Sequence, residues 1–226
     1  MDKQFNAGYI DAELNRIGAR IKKPLEIYLI GGCAMSFRGL KEFTKDVDIV
    51  FKSEKSHQSF CDALFGAQYH EPFTMKSEHE QLKAKRMFEN KDGFHLDLFV
   101  KTVIGKLVLS ESMAGRAEPY RQYGNLGVYL LSREDIFLFK GLASEGRRRD
   151  LPDMQALYPG LDWRIIEREL DSQKLSQELK KLFIRRLEEF NRVYKLDVPI
   201  LARLKRKTGK NQARWRLRLS PAGAAG

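Results

Sequence analysis

Residues 28–51, YLIGGCAMSFRGLKEFTKDVDIVF, place an apolar run, a glycine pair and an Asp-x-Asp within one short stretch. The run EIYLI (26–30) reads as a buried strand that Gly31 and Gly32 close, and CAMSFR (33–38) forms the first turns of a helix before Gly39. In KDVDIVF (45–51) the period of two puts Asp46 and Asp48 on one strand face and Val47 and Ile49 on the other. Like charges that close repel, and a divalent cation between them removes the conflict. Mg²⁺ suits an Asp-x-Asp because it takes oxygen ligands and keeps waters and substrate phosphates in its shell. Two such ions about 3.5–4 Å apart clamp the attacking and leaving oxygens of a phosphoryl displacement. The glycine pair supplies the other half: without a Cβ, the backbone can approach a phosphate closely, with N–H groups of the following helix start pointing toward it.

Working outward, Phe5, Tyr9, Ile10, Leu14 and Ile17 predict an amphipathic helix over about 3–20, stopped near Pro24. SEKSHQSFCDALFG (53–66) reads as a helix ending at Gly66, and AQYHEPF (67–73) as a short edge strand limited by its proline. Two β-prone runs around NKDG (90–93) form a hairpin whose second arm, HLDLFV (95–100), puts His95, Asp97 and Phe99 on one face. A third carboxylate is thus offered from a strand. PYRQYGNLGVYLL (119–131) predicts another strand pair turning at Gly124 to Gly127.

After Ser132 the character becomes helical. Ser132 and Asp135 open a helix running toward Gly146, Pro152 stands in the first turn of a short helix, Asp162 caps WRIIEREL, and SQELKKLFIRRLEEFNRVY (176–194) carries one long helical period. The expected organisation is a catalytic core over 1–131 and a helical region with a basic tail over 132–226. The fold class is α+β, a mixed sheet flanked by helices followed by a mostly helical C-terminal region.

The net charge of +11 is concentrated near the C-terminus, where Lys195, Arg203, Lys205, Arg206, Lys207, Lys210, Arg214, Arg216 and Arg218 face one acid, Asp197. Such a block suits a polyanion such as RNA, and a basic tail kept for solubility is the other reading. Neither a membrane-length apolar window nor a signal-peptide layout is visible, which predicts a cytoplasmic protein without a membrane partner. Cys33 and Cys61 lack metal-ligand spacing and read as buried free thiols.

The order strand, Gly31-Gly32, thirteen intervening residues, then Asp46-Val47-Asp48-Ile49, resembles the signature of the DNA polymerase β-like nucleotidyltransferase superfamily, with HLDLFV resembling its third acidic strand. Thr44-Lys45-Asp46-Val47-Asp48, then Lys140, then Arg147, Arg149, Asp150 and Asp153, resemble the small prokaryotic subgroup that includes the AbiEii-type toxins. The likeness spans roughly residues 25–160. It implies transfer of a nucleoside monophosphate from an NTP to an acceptor hydroxyl, with Mg²⁺ or Mn²⁺. By the same likeness Gly31 and Gly32 would hold the triphosphate, Asp46, Asp48 and Asp97 the metal ions, and Lys140 the phosphates, with Lys45 a second candidate. Asp97 would also help deprotonate the acceptor. Cys33 stands where several members of the superfamily carry a serine.

The acceptor implied by the basic block is RNA, a tRNA end included, and the subgroup implies an antitoxin-type protein partner. The competing class is a non-catalytic RNA- or partner-binding module that keeps the fold and the carboxylates. His95 reads either as orienting the acceptor or as an exposed strand residue, and His57, His70 and His79 as surface residues. Arg147 to Arg149 read as phosphate or RNA-backbone contacts or as helix-end charges, and Asp150 and Asp153 as direct participants or as salt-bridge supports of that basic cluster. Trp163 reads as packing, and Trp215 among arginines as a stacking residue.

Overall fold

Asn6 accepts a hydrogen bond from the Tyr9 amide and opens helix α1 (Ala7–Gly18), which buries Ile10, Leu14 and Ile17 along one stripe. The computed structural model describes residues 3–72, 84–103, 105, 107–143 and 150–208. α1 starts later than its periodicity predicts because strand β1 (Phe5–Asn6) pairs antiparallel with β3 (Phe43–Thr44).

The central sheet is built from β2 (Leu25–Ile30), β4 (Asp46–Phe51), β5 (Arg86–Glu89), β6 (His95–Val100), β9 (Glu118–Tyr123) and β10 (Leu126–Leu130). Its order is β5-β6-β4-β2-β10-β9. β4 pairs parallel with β6 and antiparallel with β2, so its backbone is occupied on both edges. β2 runs parallel to β10, and β9 closes one side antiparallel. A separate pair, β7 (Thr102–Val103) and β8 (Leu107–Val108), follows β6. The fold class is α+β, with a mixed sheet flanked by helices and a mostly helical C-terminal region.

Helix α2 (Gly31–Phe37) leaves β2 directly, and α3 (Glu54–Gly66) connects β4 toward the β5–β6 hairpin, with the Ser53 hydroxyl accepting from the Ser56 amide at its start. The helical period of α3 turns His57, Phe60, Cys61 and Leu64 inward. His57 is therefore not the surface residue its scattered position suggested: it is 2% exposed, stands edge-on to Phe51 with ring centroids 5.5 Å apart, and has Nε2 3.7 Å from Cys61 Sγ. Burial pushes its imidazole below the ordinary histidine range. Both cysteines are buried free thiols. Among the described residues of the expected edge strand over 67–73, only His70 pairs, as an isolated bridge to Glu89, with Pro72 unable to donate two residues later and Phe73 outside the described residues.

The β5–β6 turn is held from outside the sheet. Asn90 accepts hydrogen bonds from the Asp92 and Phe94 amides and donates to Tyr9 Oη and Glu13 of α1. Phe5, Tyr9 and Phe94 pack their rings beside this network. Phe51, Phe60, Phe88, Phe94 and Phe99 are fully buried around the sheet, each contributing about 1.5–3 kcal/mol of burial free energy.

After α4 (Glu111–Gly115) and the β9–β10 hairpin, Ser132 caps α5 (Arg133–Leu142), with its hydroxyl accepting from the Asp135 amide. α5 stops at Leu142, short of Gly146, where Ala143 turns to ψ 162°. α6 (Asp150–Leu157) follows and packs on α5. The chain divides into two compact units, Met1–Leu161 and Asp162–Gly226, so α5 and α6 belong with the sheet although helical character begins after residue 131. The second unit contains α7 (Trp163–Ser172), capped by Asp162, and α8 (Gln177–Tyr194), capped by Ser176, with residues 201–208 also helical. Ile166, Leu170, Phe183, Leu187, Phe190, Ile200 and Leu204 form its core. Among the described residues no helix is long and apolar enough to cross a membrane.

Candidate active site

On β4 the alternation of side chains buries Val47 and Ile49 completely and leaves Asp46 and Asp48 half-buried on the opposite face. The parallel ladder with β6 sets Asp46 beside His95 and Asp48 beside Asp97. Neighbouring strands lie about 4.8 Å apart, and directly paired residues project to the same side. All three predicted carboxylates are thereby gathered on one sheet face, and Asp97 is wholly buried there. The same face continues onto β5, where Met87 pairs with Asp97 and Glu89 with His95. Glu89 lies 3.4 Å from His95 Nδ1 and 3.2 Å from His70 Nε2, and the His95 side chain is only 16% exposed, unlike the exposed strand residue of one sequence reading.

β2 brings the glycine pair to these carboxylates. Ile30 is the register partner of Asp48, so the chain leaves the sheet at the level of that aspartate. Gly31 then adopts φ +63°, and a Cβ built on it would overlap Asp48 Oδ2. A Cβ on Gly32 would come within 2.7 Å of Thr44 Oγ1 and 3.7 Å of Lys41 Nζ. Thr44 is buried and donates to the Asp46 carbonyl at 3.1 Å, fixing the entry to β4. The turn is thus packed against Asp48 at Gly31 and against Thr44 and Lys41 at Gly32.

Cys33, just inside α2, is buried, and burial together with the charges of Asp48 and Asp46 drives its thiol well above the ordinary range. It is a neutral packing group.

Lys140, near the end of α5, lies 3.0 Å from Asp150 Oδ1 and 2.7 Å from Asp153 Oδ2 on α6. Burial alone would lower its ammonium, but the two carboxylates prevail and raise it. Asp153 receives a second cation, Lys41, whose Nζ lies 3.0 and 3.1 Å from its two oxygens. Burial alone would raise the Asp153 carboxyl, and Lys140 and Lys41 instead hold it below the usual aspartate value. Asp150 and Asp153 are ion-pair partners of Lys140 and Lys41, whereas the Arg147 to Arg149 cluster expected from the sequence as their partner lies outside the described residues. Lys41 was not among the sequence candidates: its partner is 112 positions away, and no local pattern signals the contact. Lys45 is half-buried immediately before Asp46.

Several predicted C-terminal cations are engaged within their own unit. Arg203 and Lys207 pair with Glu167, Lys207 also with Asp171, and Lys205 with Glu188. Arg206 is exposed. Lys210, Arg214, Arg216 and Arg218 lie outside the described residues, as do His79, Trp215 and Arg147 to Arg149. Trp163 is half-buried at the start of α7.

Among the described residues no group of three or more His, Cys, Asp or Glu side chains is placed to hold a metal ion. The cross-strand pair Asp48–Asp97, with Asp46 one step along β4, is nonetheless an all-oxygen donor set. Mg²⁺ is ordinarily held by one or two carboxylates, with water and substrate phosphate completing its shell, and does not need a protein cage. The donor chemistry fits such an ion.

No family model matches the chain, and no curated protein matches it. Solved structures similar to it include JHP933 from Helicobacter pylori, at 15% identity and TM-score 0.41 over 94% of this chain and 96% of the other. Another is an antigenic nucleotidyltransferase-like protein from Paracoccidioides brasiliensis, at 15% identity and TM-score 0.47 over 90% and 95%.

Proposed function

We propose that this chain is a divalent-metal-dependent nucleotidyltransferase that moves a nucleoside monophosphate from an NTP to an acceptor hydroxyl and releases pyrophosphate. The observation that carries the reading is the register of Asp48 against Asp97, with the Gly31 turn pressed onto the Asp48 carboxylate. Carboxylates on adjacent strands beside a backbone turn with no Cβ make a place where metal-bound phosphate can meet protein at close range.

Asp46, Asp48 and Asp97 would hold Mg²⁺ or Mn²⁺, which supplies charge neutralisation at the phosphates and orientation of the reacting oxygens. Gly31 and Gly32 provide the backbone against which the triphosphate lies. Asp97, buried beside Asp48, would take the acceptor proton. The acceptor oxygen forms a bond to the α-phosphorus, the bond from that phosphorus to the bridging oxygen of the pyrophosphate breaks, and the hydroxyl proton passes to the Asp97 carboxylate. The sequence likeness to AbiEii-type toxins and the C-terminal positive charge favour an RNA acceptor and a protein partner of antitoxin type.

The test is a transfer assay with each α-labelled NTP, Mg²⁺ and total cellular RNA, run beside Asp46→Ala/Asp48→Ala. Label on RNA that the double variant fails to add is the expected result. Equal labelling by the variant would sink the site assignment, and label on protein would redirect the acceptor. Metal-dependent NTP binding without any transfer would leave a nucleotide-binding module.

A further inference from the structure

We infer that Lys41, and not Lys140, is the lysine that contacts the nucleotide triphosphate. The inference rests on the nucleotidyltransferase reading above and assigns the phosphate-facing cation of that site.

Lys140 is committed elsewhere. Its side chain is 14% exposed and its ammonium is bonded to Asp150 and Asp153, whose side chains are 1% and 11% exposed. Turning Lys140 toward a substrate would break its ion pairs with two largely buried carboxylates at once, a costly change. Lys41 differs on each point. Its side chain is 34% exposed. Its two bonds to Asp153 occupy two of the three donors that an ammonium has. The carboxylate it faces is already bonded to Lys140, so Lys41 shares its countercharge.

Position completes the argument. Lys41 Nζ stands 3.7 Å from the point a Gly32 Cβ would occupy, and a Cβ on the preceding Gly31 would meet Asp48 Oδ2. A triphosphate lying against Gly31 and Gly32 with its metal at Asp48 therefore comes within reach of Lys41. Asp153 holds that ammonium in place, and Lys41 is the more exposed of the cluster's two cations, so it is the ammonium open to an anion at the turn.

The experiment measures NTP affinity at fixed Mg²⁺ for the wild type, Lys41→Met and Lys41→Arg. Loss of a charge-assisted phosphate contact should raise Kd about 10- to 100-fold in Lys41→Met, with Lys41→Arg recovering part of it. A Kd within about twofold of wild type would overturn the assignment. Amine acetylation of the wild type, mapped by mass spectrometry, gives a readout that needs no variant: Mg²⁺ and NTP should slow modification of Lys41, and unchanged modification of Lys41 under saturating NTP would also overturn it. A wild type that binds no NTP would overturn the nucleotidyltransferase reading and this inference together, whereas binding that ignores Lys41 overturns only the latter.

Discussion

Gly31 and Asp48 sit so close that no side chain fits between them: a methyl group on Gly31 would overlap Asp48 Oδ2, and the residue's φ of +63° is already one that side chains disfavour. Gly31→Ala therefore meets both obstacles at once. The expected cost is about 1–3 kcal/mol of stability, read from urea midpoints, with NTP binding weakened because Asp48 must move. Unchanged stability would mean that the turn is not seated on the carboxylate.

The cross-strand pair makes a second prediction. Asp48→Asn and Asp97→Asn preserve shape and remove charge, so the fold should survive while transfer falls by about 10²-fold or more. Each variant should also lose the metal-dependent part of any NTP-induced thermal shift. Full transfer by Asp97→Asn would remove it from the reaction.

The ion cluster under Lys41 predicts a pH dependence. The Asp153 carboxyl is held below its ordinary 3.8, so its contribution is present above that value and is lost as pH falls through the depressed one. The Lys140 ammonium is held above its ordinary 10.5, so its contribution is complete below that value and is lost as pH rises through the raised one. Stability from this cluster should be flat between about pH 5 and 9 and fall on either side. Lys140→Met should cost about 3–5 kcal/mol at neutral pH by removing the cation that Asp150 and Asp153 share, and adding Asp150→Asn should restore part of it. Denaturant unfolding across pH checks both limbs.

Only part of this was legible in the sequence. The alternation in 46–49 and 95–98 is local information, and it was enough to put Asp46, Asp48 and Asp97 on strand faces. Their register is not local, because a strand pattern does not state which strand lies beside it. The two-residue strands at Phe5–Asn6 and Phe43–Thr44 were missed for a related reason, since each exists only by pairing with the other. His57 looked like a surface residue because an isolated histidine carries no period of its own; its burial follows from the face it shares with Phe60, Cys61 and Leu64. Lys41 was invisible because a long side chain meets a helix that arrives much later in the chain.

The C-terminal charge can be tested without disturbing the helical unit that carries part of it. Ile200 and Leu204 are buried there, so truncation should begin after Thr208 and not at Arg203. Removing residues 209–226 takes away Lys210, Arg214, Arg216 and Arg218. RNA affinity should fall, and the salt slope should become shallower by about one for each lost phosphate contact. An unchanged slope would end the RNA role of that segment.

β4 has strands on both sides, and this placement governs how the site is lost as well as how it is made. The backbone amides around Asp46 and Asp48 are enclosed within the sheet, so their exchange with deuterated solvent should be among the slowest in the chain and should report whole-unit opening. The α5–α6 ion cluster is joined by side-chain ion pairs and not by a strand ladder, so it is expected to loosen before the sheet opens. On gradual heating, nucleotide affinity should therefore decline before the carboxylate row comes apart, with the slowest amides around Asp46 and Asp48 still protected.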